Sequence, residues 1–338
     1  MTGYTDMTPL TVLNSRLLVC NSAMKINEFD LRGLDGKRFA CCAWLPTAAP
    51  KAILQIAHGM GEHKDRYTDV AEALTSQGYA VYASDHRGHG GTIVDDMPGA
   101  MGKNGWRLTL TDMNYLAETS MREHPGLPIV LLGHSMGAAL SQQYLYLYGQ
   151  HLSAAVLSGS PGFGSAWQLA LMQLVCRAEA LRSGPNMQSD FLQNMLFGNN
   201  NKAFADQTNS GDLTGFEWLS KDLLQVQAYI NDPKCGFVLS PDSLAQMFAG
   251  MRSSSIPANI ATIKPGLPLY VVAGADDPVH NDEAGLIKLV EAYRTAGLSV
   301  DYKLYPEGRH EMLNETNRVE VVAHLLEWLE AALVDSAT

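Results

Sequence analysis

The first stretch of the sequence with a clear chemical meaning is Gly133-His134-Ser135-Met136-Gly137, which fits the pattern G-x-S-x-G of a nucleophile elbow. A serine in this pattern can act as a nucleophile because it lies on a strained turn that exposes its hydroxyl group. The apolar run 129–132 precedes the pattern, and small and helix-forming residues follow it. The two glycines lack the Cβ that would collide with neighbouring elements. These features predict a strand, a tight turn and a helix, with Ser135 as the catalytic nucleophile.

A carboxylate and a histidine in suitable places would complete the machinery of a serine nucleophile. Asp276 and Asp277 come shortly after the apolar run 267–273, and His310 follows the run that ends at residue 305. Each group therefore comes after a predicted strand, in the chain order serine, acid, base. His310 would act as the general base, and an aspartate would fix its tautomer and stabilise the imidazolium. The spacing leaves Asp276 and Asp277 both open as the acid.

A serine nucleophile also requires N–H donors that stabilise the oxyanion of the tetrahedral intermediate. The segment His58-Gly59-Met60-Gly61-Glu62-His63 begins where a short apolar run ends, and its glycines let the backbone turn an N–H inward. We expect the two oxyanion donors to be the backbone N–H groups of Met60 and of Met136, the residue after the nucleophile. His58 is expected to brace this loop, and no catalytic role is expected for His63.

A second histidine-containing run, Asp85-His86-Arg87-Gly88-His89-Gly90, carries side chains that also occur in metal sites. It lacks the further cluster of histidines and aspartates that a hydrolytic zinc site requires. We therefore predict no metal and no cofactor. Asp85 and Arg87 are expected to hold neighbouring loops together through charge-assisted hydrogen bonds.

The elements that must position these groups alternate along the chain. Strands are predicted at 26–31, 39–45, 51–57, 79–83, 129–132, 154–158, 267–273 and 300–305, and helices at 67–77, 108–123, 284–296 and 318–334. The first two strands flank the turn Gly33-Leu34-Asp35-Gly36 and predict a hairpin. The later alternation predicts an α/β fold whose mostly parallel central sheet has helices on both faces.

The alternation breaks between residues 161 and 255, where short apolar helical segments such as 167–175 and 223–230 occur. We predict that 161–255 form a helical cap inserted over the carboxyl edge of the sheet, and that 25–160 and 256–335 form the core. Residues 1–24 are expected to be a poorly ordered N-terminal extension. The apolar residues of the cap that could line an acyl pocket are Trp167, Met172, Met187, Met195, Phe197, Met247, Phe248 and Met251. The alternative for any one of them is ordinary helix packing against the core, whereas the region as a whole is expected to form an apolar lid.

Composition narrows the choice of partner. The 338 residues carry a formal net charge of −11, whereas nucleic-acid binding needs Lys and Arg to neutralise phosphates, so no nucleic-acid partner is expected. The same charge disfavours docking on anionic lipid.

Five cysteines without a C-x-x-C pair predict neither a disulfide framework nor a zinc ribbon. Because no apolar run approaches the roughly 20 residues of a membrane span and no leader pattern is seen, we predict a cytoplasmic protein. The sequence gives no indication of oligomeric state.

At these residues the chain resembles the monoacylglycerol lipase and lysophospholipase branch of the α/β hydrolases, which is also grouped as serine aminopeptidase-like. The matching runs are 58–63, 85–90, 133–137, 274–277 and 308–311. In that branch the acid is the fourth residue of G-x-x-D, so the resemblance implies Asp277. The stretch from Trp218 to Phe237 is also similar to the cap of bacterial members. Ala138 replaces the glycine of many relatives, with little expected effect because alanine is nearly as small.

The resemblance implies the α/β-hydrolase fold and a serine hydrolase that cleaves carboxylic esters with apolar acyl chains. The substrates would be small-molecule or lipid esters, of the monoacylglycerol or lysophospholipid type, and an acyl-enzyme would form on Ser135. We also expect transient contact of the cap with lipid surfaces. The alternatives are an acyltransferase or an aminopeptidase on the same triad, and a non-catalytic ligand-binding member of the fold. The complete set Ser135, Asp277 and His310 argues against the last, and the lack of an obvious carboxylate cluster in the cap argues against the aminopeptidase.

Overall fold

One sheet organises the computed structural model, which describes residues 24–207, 214–280 and 283–335. Within this part, its eight strands are β1 (Lys25–Arg32), β2 (Arg38–Leu45), β3 (Ala52–Ala57), β4 (Tyr79–Ser84), β5 (Ile129–His134), β6 (Ala154–Ser158), β7 (Pro268–Gly274) and β8 (Ser299–Tyr305). Their order across the sheet is β1-β2-β4-β3-β5-β6-β7-β8. β1 and β2 form an antiparallel hairpin and β2 is antiparallel to β4, whereas the other neighbours are parallel. The predicted hairpin and mostly parallel sheet are confirmed.

The α-helices of the described residues are α1 (Thr68–Ser76), α2 (Gly105–Glu123), α3 (Met136–Tyr148), α4 (Ala166–Ser183), α5 (Asp190–Phe197), α6 (Leu223–Asn231), α7 (Pro241–Ser254), α8 (Pro257–Ile260), α9 (Ala284–Thr295) and α10 (Arg318–Asp335). α4 is longer than predicted because helix-forming residues continue to Gly184, whose φ of +103° ends the helix. α7 was not predicted as a separate element, although Pro241 at its first turn is a typical start signal.

The sheet buries both of its faces. Along β3, Ile53 and Ala57 belong to one apolar cluster, while Leu54 and Ile56 belong to the other. This alternation follows from the two-residue period of a strand. Apolar residues of α2, α3 and α9 pack into the first cluster, and those of α1 and α10 pack into the second. Helices therefore cover both faces, as predicted.

The helices α4 to α7 lie in the chain between β6 and β7. α7 packs against α3 and α4, and its Leu244, Met247 and Phe248 belong to the same apolar cluster as α3. The α7 part of the predicted cap therefore packs in the same apolar cluster as the core helix α3. The boundaries of the cap at 161 and 255 remain a prediction. The predicted extension 1–24 lies, except for Met24, outside the described residues.

The register of the parallel strands brings four loops to one edge of the sheet. Ala57 at the end of β3 is opposite Gly133 in β5, and Gly274 at the end of β7 is opposite Tyr305 at the end of β8. Because carboxyl ends of parallel strands meet at the same edge, the loops after β3, β5, β7 and β8 converge there.

Candidate active site

Ser135 occupies a strained turn between β5 and α3. Its φ is 53° and its ψ is −115°, a conformation that residues with a Cβ rarely adopt. A Cβ on Gly137 would lie 2.0 Å from the carbonyl oxygen of Ala57, and one on Gly133 would lie 2.3 Å from the Ser141 Oγ. Only glycine fits at either position, so the close packing of α3 on the strands depends on both. The predicted strand, turn and helix are all present.

A chain of hydrogen bonds joins Ser135, His310 and Asp277. The His310 Nε2 lies 2.8 Å from the Ser135 Oγ, and the His310 Nδ1 lies 2.9 Å from the Asp277 Oδ2. The other carboxylate oxygen of Asp277 accepts the N–H of Val279 at 2.9 Å. Asp277 is buried, whereas Asp276 is exposed. Of the two candidate acids, Asp277 is the one that contacts the imidazole.

The charge state of His310 reflects two opposed effects. Burial disfavours the charged imidazolium, but the Asp277 carboxylate and its hydrogen bond outweigh burial and raise the pKa of His310 above its ordinary value. His310 is thus a stronger base than a free imidazole. An imidazole of this kind, hydrogen-bonded to a serine hydroxyl, can accept the hydroxyl proton.

The loop after β3 passes directly beside Ser135. A Cβ on Gly59 would lie 3.3 Å from the Ser135 Cβ. The backbone N–H groups of Met60 and Met136 donate to no acceptor within the described residues. Met136 is also the first residue of α3, where the helix dipole favours negative charge. Met60 and Met136 line the same cavity as Ser135, so their N–H groups remain the candidate oxyanion donors.

A buried ion-pair network, which we call the Arg66 clamp, connects this loop to the His310 loop. The Arg66 guanidinium binds Glu62 at 2.6 Å and Glu311 through two hydrogen bonds of 2.7 Å. The Glu62 carboxylate also accepts the N–H of Gly59 and the Tyr67 hydroxyl. Burial alone would raise the pKa of both glutamates, but Arg66 holds them below their ordinary range. Both carboxylates are therefore ionised and paired.

His58 braces the loop, as expected from the sequence. Its Nε2 accepts the N–H of His86 at 2.9 Å, and its Nδ1 lies 2.8 Å from the carbonyl oxygen of Gly59. These contacts require the neutral tautomer with the proton on Nδ1. Burial lowers the pKa of His58 to about 4, which keeps the ring neutral.

Asp85 and Arg87 also hold loops together as predicted. Asp85 accepts the N–H groups of Lys64 at 2.9 Å and Gly91 at 2.7 Å. Arg87 pairs with the carboxylates of Asp35 and Asp112. These charge-assisted hydrogen bonds join the loops after β3 and β4 and tie the hairpin turn to α2.

His63 pairs with the segment that follows α6 rather than with Ser135. Its Nε2 lies 2.8 Å from the Asp232 Oδ2, just beyond α6. Together with the thiol of Cys235, these two side chains place three ligand-type atoms within 4.8 Å of one another, the one such group found among the described residues. The imidazole and carboxylate already bind each other, which connects the loop after β3 to the end of α6. The expectation of no metal and no cofactor remains a prediction.

A cavity of about 530 Å³ opens above Ser135. Four of the eight predicted apolar residues line it, namely Phe197, Met247, Phe248 and Met251. The other four do not line it: Trp167, Met187 and Met195 are exposed, and Met172 packs against the core. α4 and α5 turn Trp167 and Met195 to solvent, Met187 lies between these two helices, and Met172 shows the ordinary helix packing that was the alternative for each residue.

Two features of the site were missed by the sequence analysis. The first is the Arg66 clamp. The second is a pair of rings beside His310, with centroids of His134 at 4.8 Å and Trp218 at 5.0 Å from the centroid of its imidazole. No local pattern identifies either feature, because Arg66 and Trp218 are distant in sequence from His310.

Comparison with known proteins places the chain in a family. The model of the family described as serine aminopeptidase, S33, matches residues 48–317. A monoacylglycerol lipase of Mycolicibacterium smegmatis is 30% identical over 318 residues, which cover 91% of this chain and 98% of that protein. The human monoglyceride lipase is 36% identical over 107 residues, 32% of this chain and 34% of that protein.

Solved structures show the same architecture. A thermostable carboxyl esterase from Bacillus coagulans, in complex with glycerol, superposes with a TM-score of 0.81 at 25% identity, over 92% of this chain and all of that chain. A soluble variant of the Saccharomyces cerevisiae monoglyceride lipase superposes with a TM-score of 0.70 over 97% of this chain and 99% of that chain; at 19% identity this likeness concerns the fold alone. The chain belongs to the serine aminopeptidase, S33, family and has the α/β-hydrolase fold.

Proposed function

We propose that this protein is a serine hydrolase that cleaves carboxylic esters with apolar acyl chains, of the monoacylglycerol or lysophospholipid type. The observation that carries the proposal is the hydrogen-bonded series Ser135, His310 and Asp277, which faces a cavity lined by apolar side chains. The names of the relatives, monoacylglycerol lipase and carboxyl esterase, support the same reaction class.

The reaction would proceed in two acyl-transfer steps. His310 removes the proton of Ser135 as the hydroxyl attacks the ester carbonyl, and then protonates the leaving alcohol. Water, activated by the same imidazole, attacks the acyl-enzyme and releases the acid. Asp277 orients the imidazole and stabilises its charged form. The N–H groups of Met60 and Met136 would stabilise each oxyanion, with about 3 kcal/mol for each donor.

The cavity indicates how the two parts of the ester would be held. Met247, Phe248 and Met251 on α7 offer an apolar surface for the acyl chain. Glu62 and Glu311 are the carboxylates that line the cavity among the described residues, and both bind Arg66. A free substrate amino group would have to compete with Arg66 for them, which favours the esterase over the aminopeptidase.

The first test is release of p-nitrophenol from short-chain and medium-chain esters. We expect the wild type to turn over and Ser135→Ala to lose about 10⁴-fold or more of kcat. Ser76→Ala, which removes an exposed hydroxyl from α1, should behave as wild type. A Ser135→Ala variant as active as wild type would disprove the mechanism. Addition of an acceptor alcohol with product analysis separates hydrolysis from acyl transfer.

Transient contact with lipid is proposed from an exposed apolar face. Trp167, Leu171, Leu174 and Leu181 share one side of α4 and are exposed. Phe191 on the adjacent α5 adds to this surface. In the described residues no helix is both long and apolar enough to cross a bilayer. Arg177 and Arg182 flank this face, but the formal net charge of −11 favours a zwitterionic surface over an anionic one.

Flotation with phosphatidylcholine vesicles tests this contact. We expect the double variant Trp167→Ser, Leu174→Ser to bind several-fold less than the wild type. Leu34→Ser, which removes an even more exposed leucine from the hairpin turn, is the control and should bind normally. Equal binding by all three proteins would refute the contact through α4.

A cytoplasmic location is likewise proposed. Cys41, Cys42, Cys176 and Cys235 all carry free thiols in the structure. Free thiols in this number are typical of a reducing compartment. Fractionation of cells that express the full chain tests the location, and recovery outside the cytoplasm would contradict it.

A further inference from the structure

A turn between α5 and α6 is fastened to the loop that carries His310. The Arg309 guanidinium donates to the carbonyl oxygens of Glu217 at 2.7 Å and Ser220 at 3.1 Å. The backbone N–H of His310 donates to the carbonyl oxygen of Trp218 at 3.3 Å, and that of Glu311 to the carbonyl oxygen of Leu219 at 2.8 Å. The turn Glu217–Ser220 therefore follows any displacement of the His310 backbone.

This attachment places the indole ring of Trp218 against the imidazole. The two ring centroids are 5.0 Å apart with an angle of 38° between the planes. Trp218 is itself held by its backbone N–H, which donates to the Asn201 Oδ1 at 3.1 Å, and by stacking of its ring on Phe197. It is buried at the wall of the cavity and does not reach the Ser135 hydroxyl by any hydrogen bond.

We propose that Trp218 is a positioning residue for His310, whose ring fixes the imidazole plane and stabilises the imidazolium that forms when Ser135 gives up its proton. The proposal rests on the proposed serine-hydrolase function. A cation within about 6 Å of an indole centroid is attracted by the negative face of the ring, most strongly for tryptophan among the aromatic residues. The neutral imidazole gains much less, so the contact favours the protonated state.

Other groups contact His310 without involving Trp218. Asp277 binds its Nδ1, Ser135 binds its Nε2, and the His134 ring lies 4.8 Å from it between centroids. The carboxylates of Glu62 and Glu311 also raise the pKa of His310, and Arg66 pairs with both. Loss of burial alone would raise the pKa of His310, so a lowered pKa after substitution of Trp218 reports on the lost attraction of the indole ring.

The experiment measures the pKa of His310 by NMR of the full chain with isotope-labelled histidines. The resonance that is missing in His310→Gln identifies His310. The pH dependence of kcat/KM for a p-nitrophenyl ester is measured in parallel. We expect Trp218→Leu to lower the pKa of His310 and the midpoint of the acid limb by about half a unit, with a several-fold loss of kcat. Trp218→Phe, which keeps a ring, should show a smaller shift in the same direction.

Phe248→Leu is the matched control, because it shortens another aromatic residue of the same cavity on α7. It is expected to change KM and to leave the pKa of His310 at the wild-type value. If the pKa of His310 in Trp218→Leu and Trp218→Phe is unchanged or raised, Trp218 only lines the cavity and the proposal is wrong. The NMR titration needs no turnover, so absence of ester hydrolysis would refute the proposed function and still leave this test decisive.

Discussion

Arg66 and Glu311, 245 residues apart in the chain, share two hydrogen bonds of 2.7 Å at the base of the active-site cavity. Glu311 directly follows His310, and Arg66 also binds Glu62, which accepts the N–H of Gly59. The guanidinium thus joins the loop that carries Met60 to the loop that carries His310. We expect the relative placement of the proposed base, His310, and the proposed oxyanion donor, Met60, to depend on this contact.

Replacement of Arg66 by methionine should weaken both fold and activity. The change would leave two buried carboxylates without their cation, which costs about 3–5 kcal/mol in buried ion pairs. We expect this loss of unfolding free energy in urea titrations and a drop in kcat larger than the change in KM. Glu62→Gln combined with Arg66→Met should recover part of the stability because it removes one unpaired charge.

Arg38→Met provides the control for the clamp. Arg38 pairs with Asp30 on the surface, where both side chains are about half exposed, so loss of this pair should cost less than about 1 kcal/mol. If Arg66→Met proves no more damaging than Arg38→Met, the clamp does not position the site.

The two adjacent aspartates should differ sharply in their effect on activity. Asp277→Asn keeps the shape of the side chain but removes the carboxylate that fixes the His310 tautomer, so kcat should fall by roughly 10⁴-fold, as in other serine triads. Asp276→Asn changes an exposed group and should stay within a few-fold of wild type. Steady-state kinetics on one ester compare the two. A larger loss in Asp276→Asn would mean that the acid has been misassigned.

The fold should lose stability between pH 6.5 and pH 4 because of buried histidines. Burial lowers the pKa of His58 to about 4 and of His89 to about 3, from an ordinary value of 6.5. Below pH 6.5 the unfolded chain binds protons that the folded state excludes, so the stability present above pH 6.5 declines as pH falls. The raised pKa of His310 acts in the opposite direction, since its contribution is present below pH 6.5 and is lost as pH rises.

Unfolding free energies measured at intervals of pH test this expectation. The stability that Asp35 contributes, with its pKa lowered from 3.8 to about 2, is constant above pH 4 and is lost only at more acidic pH, so it does not obscure the window from 6.5 to 4. His89→Gln removes one buried imidazole and should give a shallower decline than the wild type. If the unfolding free energies of the two proteins decline equally with pH, His89 does not cause the decline.

The turn at Ser135 should not tolerate a side chain at Gly137. A Cβ there would lie 2.0 Å from the carbonyl oxygen of Ala57, so Gly137→Ala must displace α3 or β3. We expect loss of activity and a lower melting temperature. Gly149→Ala, at the other end of α3, meets nothing closer than 3.8 Å at a φ of −70° and should be neutral or slightly stabilising. A stable and active Gly137→Ala would contradict the packing described above.

The features that the sequence by itself determined are local ones. Strand and helix periods, the pattern around Ser135 and the glycine loop at 58–63 are encoded within a few neighbouring residues, because side-chain alternation and backbone sterics act over that range. The chain order of Ser135, Asp277 and His310, and the places of all eight strands, followed from these patterns. The resemblance to a known branch, not the spacing, distinguished Asp277 from Asp276.

Only the tertiary structure decided which side chains share the cavity. The apolar residues of α4 and α5 have similar composition to those of α7, but the orientation of each helix sends Trp167 to solvent and Met247 to the cavity. Arg66 meets Glu311, and Trp218 meets His310, across 92 residues or more of chain. Such contacts have no local signature, because they arise when separate loops converge at the carboxyl edge of the sheet and bury their charges and rings together.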